Sequence, residues 1–125
     1  MIKKLVLLVL CLCFTGCVSM SGMEKVQYQK MHYELQKVGL PEFEENNPTT
    51  AGALNILPGV GNAYLGQWGA FVANLIFWPY SILWGVPQAA IDAGTLNEKE
   101  TFYFYTFGLG KEQLEEAKKQ KEIKP

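Results

Sequence analysis

The chain has 125 residues, of which 49% are hydrophobic and 18% are charged. Its 11 basic residues are all lysines, and they stand against 12 acidic residues and one histidine. A nearly neutral chain without arginine lacks the basic surface of nucleic-acid-binding proteins and the bidentate donor that phosphate sites favour. We therefore expect no nucleic-acid partner. The length allows one domain at most.

The first seventeen residues have the pattern of an export signal that ends in a lipidation site. Two lysines precede an apolar stretch, residues 5–14, which is too short to span about 30 Å of hydrocarbon as a permanent helix. The run Phe14-Thr15-Gly16-Cys17 resembles the lipobox of bacterial lipoproteins, with Phe14 in the place of the usual leucine. In that family the Cys thiol receives diacylglycerol, the chain is cut just before it, and the new amine is often acylated.

This resemblance implies that residues 1–16 are a cleaved signal peptide and that Cys17 carries diacylglycerol and an N-acyl group such as palmitate. The other two cysteines leave with the signal, so we expect no disulfide, no cysteine metal ligand and no further cofactor. Val18 and Ser19 follow Cys17, where an Asp would signal inner-membrane retention in enterobacterial lipoproteins. The resemblance therefore favours the outer membrane over the inner membrane, with the protein lipid-anchored in the bacterial envelope and facing the periplasm.

Residues 17–50 are predicted to form an amphipathic helix and an acidic linker. Ser21 and Glu24 have the spacing of a capping box, and Gly39 followed by Pro41 predicts the end of the helix. The apolar positions form one narrow stripe at helical spacing: Tyr28, Met31, Leu35 and Val38. Such a narrow stripe is either a coiled-coil seam or the face of a helix that lies on a larger surface, and we favour docking on the apolar centre of the same chain over a partner or a second copy.

Residues 51–97 are predicted to form an apolar, membrane-associated helical hairpin, because residues 46–91 contain no charged residue and no histidine. The first segment of the hairpin is short for a membrane span, and Pro79 and Pro87 interrupt the second, which is long enough to cross. Helices broken by proline persist in lipid where neighbouring helices satisfy the freed carbonyl groups. We prefer shallow insertion to full crossing.

Small residues in this hairpin predict close helix packing, because pairs one turn apart let two backbones approach. The predicted packing residues are Gly59, Gly61, Tyr64, Gly66, Gly69, Ala70, Ala73 and Asn74, with Asn74 as a hydrogen-bonding residue. Amphipathic aromatic side chains are enriched at the level of the lipid headgroups. The predicted interface aromatics are Trp68, Trp78, Tyr80 and Trp84. The alternative is that the aromatic residues fill a soluble core.

The centre of the chain also resembles the TM-two domain family of short transmembrane hairpins. The run Gly59-x-Gly61-Asn62-x-Tyr64-Leu65-Gly66 and Asp92 carry this likeness, which covers residues 51–96. Members of the family join two helices through a Gly-x-x-Arg-Phe-Tyr-Leu-Gly turn, whereas this chain has Asn62 and Ala63 in place of the Arg and Phe. The resemblance implies a helical hairpin and no particular activity.

Residues 98–125 are predicted to form an aromatic segment and a charged helix, after a turn at residues 93–97. The segment Thr-Phe-Tyr-Phe-Tyr-Thr-Phe at 101–107 has the highest β propensity of the chain. It predicts a short strand or an aromatic segment at the membrane interface, and residues 111–124 predict a solvated helix. The expected fold class is therefore mainly α, with an amphipathic N-terminal helix, a Gly- and Pro-broken hairpin, the aromatic segment and a charged C-terminal helix.

The sequence carries no recognisable catalytic or metal-binding motif. His32 has no partner at metal-ligand spacing, and neither Gly-x-Ser-x-Gly nor Ser-x-x-Lys occurs. The acidic residues are expected on helix surfaces and in the linker rather than in an apolar pocket. We therefore expect no catalytic site, no metal site, no enzymatic activity and no small-molecule substrate.

The leading hypothesis is a non-enzymatic envelope protein whose hairpin anchors in the membrane or assembles with membrane partners. Its expected partners are membrane lipid and either membrane proteins or further copies of itself. Two alternatives remain open at this point. One is a soluble recognition or scaffold module that faces the periplasm and is tethered only by its lipid, and the other is a pore-associated oligomer.

Overall fold

The computed structural model of the protein describes residues 3, 4, 7 and 18–123. Most of the predicted signal peptide, and Cys17 itself, lie outside the described residues. Between residues 18 and 123 the chain forms six helices and no strand, which confirms the mainly α fold class. The helices are α1 (Gly22–Val38), α2 (Pro48–Leu54), α3 (Val60–Tyr64), α4 (Trp68–Ile76), α5 (Ile82–Phe107) and α6 (Gly110–Ile123).

The chain divides into two compact units. Unit 1 consists of Met1–Ser19 and Asn46–Gly94, and unit 2 consists of Met20–Glu45 and Thr95–Pro125. Unit 1 thus contains most of the predicted hairpin, and unit 2 brings together the two charged stretches that precede and follow it. Helix α5 contributes residues to both units.

Helix α1 begins and ends at the residues that its capping signals predict. The Ser21 hydroxyl accepts a hydrogen bond from the Glu24 N–H at 3.2 Å, and the Glu24 carboxylate accepts one from the Ser21 N–H at 2.7 Å. These bonds hold the pKa of Glu24 below its ordinary value. Gly39 adopts φ 75°, a left-handed conformation that favours glycine, and its N–H donates to the Leu35 carbonyl. The predicted ends of this helix are confirmed.

The apolar stripe of α1 packs within unit 2 against the C-terminal part of α5 and against α6. The cluster consists of Leu35, Tyr105 and Leu114 at its centre and Met31, Val38, Leu40 and Phe104 around them. The Tyr105 hydroxyl donates to the Pro41 carbonyl at 2.7 Å, and Lys118 pairs with Glu34 at 2.8 Å. The prediction that the stripe docks on the apolar centre was wrong, because its packing partners follow that centre in the sequence.

Helix α5 runs without interruption through the predicted turn at 93–97 and the predicted strand at 101–107. In a strand alternate residues share a face, whereas in a helix residues three and four apart do so. The buried residues are Thr101, Phe102 and Tyr105, and the exposed ones are Tyr103 and Phe107. This spacing is helical, so packing in unit 2 overrides the β propensity of the segment. The predicted turn at 93–97 and the strand alternative for 101–107 were wrong.

The apolar centre forms shorter helices than a simple hairpin requires. Helices α2, α3 and α4 have seven, five and nine residues. Pro79 lies between α4 and α5, as an interruption should, whereas Pro87 lies inside α5. In the part of the chain that the structure describes, no helix combines the length and the apolar character needed to cross a membrane.

The start of α2 lies within the stretch that was predicted as a linker. The side chain of Asn47 caps this helix by accepting a hydrogen bond from the Thr50 N–H at 3.0 Å. Pro48 occupies the first helical position, where its missing N–H costs no hydrogen bond. The Asn-Pro pair therefore starts a helix and is not a simple turn.

Candidate functional site

The interior of unit 1 is made of small and polar side chains. Its buried polar residues, each less than 10% exposed, are Asn55, Asn62, Gln67, Asn74, Ser81 and Asp92. Its buried apolar residues are Ala51, Ala70, Ala89 and Ala93. Soluble domains usually bury large apolar side chains instead. The burial of small residues gives this unit little hydrophobic stabilisation of its own, since that term scales with apolar area.

Large apolar side chains lie on the outside of the same unit. We call the following exposed residues the apolar surface: Ile56, Leu57, Tyr64, Trp68, Val72, Leu75, Ile76, Phe77, Trp78, Tyr80, Leu83, Trp84 and Ile91. Helix α4 shows the arrangement most clearly, because its buried positions are Ala70 and Asn74. Trp68, Val72 and Ile76 are spaced four residues apart on its exposed side. The usual amphipathic order is therefore inverted.

Asn62 is the centre of the polar interior, and it is fully buried. Its backbone N–H donates to the Asn55 side-chain oxygen at 3.2 Å, and its own amide nitrogen donates to Gln67 at 2.7 Å. Its side-chain oxygen accepts from the Asn74 amide at 2.7 Å. Buried amides are costly unless they are paired, and hydrogen bonds between them are stronger where water is excluded. These bonds connect the end of α2, helix α3 and helix α4.

Asn74, a predicted packing residue, also connects α4 to α5. Its side-chain oxygen accepts from the Trp84 indole N–H at 3.1 Å, and its backbone carbonyl accepts from the Ser81 hydroxyl at 2.8 Å. The Trp84 ring is still 45% exposed, so its polar edge is bonded inside while part of its apolar face lies outside. The other predicted interface aromatics, Trp68, Trp78 and Tyr80, are more exposed still.

Three glycines allow the helices of unit 1 to approach closely. A Cβ on Gly61 would lie 2.0 Å from the Ala51 carbonyl oxygen, and one on Gly85 would lie 2.7 Å from the Asn55 amide nitrogen. A Cβ on Gly59 would lie 2.6 Å from the Phe71 carbonyl oxygen. Gly59 and Gly61 were predicted from the sequence as packing residues, whereas Gly85 was not identified there.

The remaining predicted packing residues have different environments. Gly66 has nothing within 4 Å of its Cβ position, and its φ of 73° places it in a left-handed turn, so no described part of the chain packs against this position. Ala70 is buried, whereas Gly69 and Ala73 are only partly buried on α4. Tyr64 is exposed, and its hydroxyl accepts a hydrogen bond from the Asn47 N–H at 3.4 Å.

Asp92 is a buried carboxylate at the inner side of α5 and is only 4% exposed. It accepts hydrogen bonds from the Gln67 amide at 2.9 Å, from the backbone N–H of Val18 and from the side chain of Gln88. Burial raises the pKa of Asp92, and these hydrogen bonds oppose that rise. The prediction that all acidic residues lie on helix surfaces or in the linker was wrong for this one. Its spacing from the small residues Gly85 and Ala89 was the sequence signal of an inward position.

His32 lies in unit 2, where its ring nitrogens contact Glu42 and Gln36. Among residues 3, 4, 7 and 18–123, no three His, Cys, Asp or Glu side chains are grouped so that they could hold a metal ion. No protein family, no curated protein and no solved structure matches the chain. The polar interior and the apolar surface of unit 1 are therefore the features that indicate the role of the protein.

Proposed function

We propose that the protein is a non-enzymatic, lipid-anchored protein of the bacterial envelope whose unit 1 inserts shallowly into the membrane and contacts lipid through its apolar surface. The observation that carries this proposal is the inverted order of unit 1, with amides and small residues inside and large apolar residues outside. The residues after the lipobox favour the outer membrane as its location.

A membrane suits this arrangement on energetic grounds. Transfer of each large side chain of the apolar surface from water to hydrocarbon contributes about 1.5–3 kcal/mol when its burial is complete. The hydrogen bonds around Asn62 gain strength at the same time, since water no longer competes for them. Close approach of helices at Gly61 and Gly85 matches the way helices pack in lipid, where small residues lie at the contacts.

Lipid is the preferred contact rather than a folded protein partner for two reasons. Residues 46–91 contain no charged residue, whereas the rim of a protein interface is polar and solvent-accessible. The surface also carries Trp68, Trp78 and Tyr80, whose rings combine an apolar body with a polar group as headgroup-level residues do. The resemblance of residues 14–17 to a lipobox supplies a lipid anchor at the start of the mature chain.

The lengths of the helices support shallow insertion. Helix α4 has nine residues, so it is about 14 Å long at 1.5 Å per residue, against about 30 Å for the hydrocarbon core. Interfacial helices bury one apolar face about 5–10 Å into the boundary between headgroups and acyl chains. The exposed side of α4, with Trp68, Val72 and Ile76, has the form of such a face.

The test is flotation of the unlipidated chain with vesicles. The mature chain carrying Cys17→Ser is mixed with vesicles of phosphatidylethanolamine and phosphatidylglycerol and centrifuged through a sucrose gradient. We expect it to float with the vesicles in both low and high salt, because the apolar surface has no charges to be screened. If the variant stays at the bottom of the gradient as a folded monomer, the proposal is refuted.

A pair of double variants assigns the binding to unit 1. Trp78→Ser with Leu83→Ser removes two residues of the apolar surface and should reduce flotation strongly. Phe107→Ser with Leu109→Ser removes two large, exposed apolar residues of unit 2 and should leave flotation unchanged. Equal losses in the two double variants would contradict the assignment of lipid contact to unit 1.

A further inference from the structure

Asp92 makes one hydrogen bond to a residue outside Asn46–Gly94, the stretch that holds the polar interior of unit 1. The backbone N–H of Val18, far away in the sequence, donates to this carboxylate beside the Gln67 and Gln88 side chains. Val18 is partly buried and belongs to unit 1, whereas the chain enters unit 2 only two residues later, at Met20. The hydrogen bond therefore holds Val18 against the inner side of α5.

We propose that Asp92 is a positioning residue for the lipid anchor: by binding the Val18 N–H, it fixes the residue that follows the lipidated Cys17 to unit 1. The acyl chains and the apolar surface then meet the same lipid leaflet as two linked binding elements. This inference rests on the proposed function, since it requires lipid on Cys17 and lipid contact by unit 1.

The chemistry of maturation leaves the donor of this hydrogen bond in place. Hydrolysis breaks the peptide bond between Gly16 and Cys17, and the new amine belongs to Cys17. The N–H that Asp92 binds belongs to the next peptide bond, between Cys17 and Val18, which remains whole. The thioether and the N-acyl group are both attached to Cys17, whose carbonyl forms that peptide bond. They therefore stay within a few covalent bonds of the N–H that Asp92 binds.

The carboxylate is well suited to hold a fixed position. Gln67, which donates to Asp92 at 2.9 Å, itself accepts from Asn62 at 2.7 Å. Asn62 is joined to both Asn55 and Asn74, so the chain of hydrogen bonds leads from Asp92 to the centre of the unit. A buried carboxylate on such a support accepts a backbone N–H with little freedom to move.

The consequence is a bivalent attachment whose two parts are held at a short, fixed distance. When two binding elements are linked, the second binds at an effective concentration that depends on the link, and the combined binding exceeds either part by factors of about 10²–10⁴. Without the Asp92 contact, the anchor loses this hydrogen bond to unit 1, and the covalent path between the two leads through Met20–Glu45 of unit 2. The looser link lowers the effective concentration and speeds the loss of protein from a membrane.

The test measures transfer of the lipidated protein between vesicles. Fully acylated chains, verified by mass spectrometry, are bound to phosphatidylethanolamine–phosphatidylglycerol vesicles, and transfer to an excess of unlabelled acceptor vesicles is followed. Val18→Pro removes the N–H that Asp92 binds and replaces no side chain of the polar interior, and Val18→Ala is the matched control that keeps the N–H. We expect Val18→Pro to transfer about tenfold faster or more, and Val18→Ala to transfer at the wild-type rate.

A second pair of variants changes the acceptor. Asp92→Ala should accelerate transfer as Val18→Pro does, whereas Asp92→Asn keeps an oxygen that accepts the N–H and should transfer nearly as slowly as wild type. In the unlipidated Cys17→Ser background, Val18→Pro should change vesicle affinity less than twofold. If the contact only stabilised the fold, Val18→Pro would weaken vesicle binding equally in the acylated protein and in the Cys17→Ser chain.

The outcomes separate this inference from the function on which it rests. Equal transfer rates for acylated Val18→Pro and Val18→Ala overturn the positioning role of Asp92 while lipid binding by unit 1 stands. The positioning role is also overturned if Val18→Pro weakens vesicle binding of the Cys17→Ser chain as much as it weakens vesicle binding of the acylated protein. Failure of the Cys17→Ser chain itself to bind vesicles overturns the proposed function, and the positioning role with it.

Discussion

Replacement of Gly61 by alanine tests the close packing of unit 1 at its tightest point. A Cβ at this position would lie 2.0 Å from the carbonyl oxygen of Ala51, whereas real Cβ atoms keep at least 3.0 Å from such an atom. Helices α2 and α3 would therefore have to separate by about 1 Å. The obstacle is backbone, which cannot rotate away as the end of a side chain can. Overpacking of this kind typically costs about 1–3 kcal/mol, and we expect Gly61→Ala to lie at the upper end.

Gly94→Ala is the matched control, because it makes the same chemical change in the same unit without a clash. Gly94 lies inside α5 and has nothing within 4 Å of its Cβ position. Alanine in a helix interior is more stable than glycine by about 0.5–1 kcal/mol, so Gly94→Ala should stabilise unit 1. The two substitutions should therefore differ by about 3.5–4 kcal/mol in the opening free energy of unit 1.

Hydrogen exchange followed by mass spectrometry measures this difference for each unit separately. Peptides from residues 46–94 should exchange faster in Gly61→Ala and more slowly in Gly94→Ala, while peptides of unit 2 remain nearly unchanged. Wild-type protection in Gly61→Ala would refute the close approach of α2 and α3. Faster exchange in Gly94→Ala would refute the continuity of α5 through residues 93–97.

Three further substitutions test other parts of the structure. Leu35→Ala removes a fully buried side chain from unit 2 and should cost about 2–5 kcal/mol in urea denaturation, whereas exposed Met23→Ala should change stability by less than about 0.5 kcal/mol. Ser21→Ala removes the cap of α1 and should cost about 1 kcal/mol, and an unchanged melting curve by circular dichroism would contradict the capping box. Asp92→Asn tests the buried charge. Burial raises the pKa of Asp92 in the folded protein above its ordinary value of 3.8. The contribution of this carboxyl group to stability is therefore greatest below pH 3.8 and is lost as the pH rises through the folded pKa. Relative to wild type, Asp92→Asn should therefore become more stable as the pH rises from 4 to 7 by hydrogen exchange of unit 1, and a difference that does not vary with pH would contradict a raised pKa.

Local signals in the sequence predicted the parts of the fold that depend on local chemistry. Ser21, Glu24 and Gly39 specify the ends of α1 by hydrogen bonds within a few residues, so their pattern is sufficient without knowledge of the rest of the chain. The charged C-terminal helix was predicted from the charge pattern of residues 111–124, in which Glu115 and Lys119 lie one turn apart. The stripe of α1 was also visible, but its partners Tyr105 and Leu114 are distant in the sequence, and no local pattern names them.

The predictions failed where distant contacts decide the structure. The aromatic segment at 101–107 has a high β propensity, yet the burial of Thr101, Phe102 and Tyr105 selects a helix. The absence of charge from residues 46–91 marked the apolar centre, but not which side of each helix faces inward. That choice depends on amide pairs such as Asn62 with Asn74, whose members belong to different helices.

The inverted interior of unit 1 has a consequence for which sequences can replace this one. Hydrogen bonds are directional and require a donor opposite each acceptor, so the positions of Asn62, Gln67 and Asn74 constrain one another. Apolar contacts have no such direction, so aliphatic outer positions such as Val72 and Leu83 are constrained only to be apolar. Variation in a population of related sequences would therefore concentrate on the outside as exchanges among leucine, isoleucine, valine and phenylalanine, while the amides inside change together or not at all.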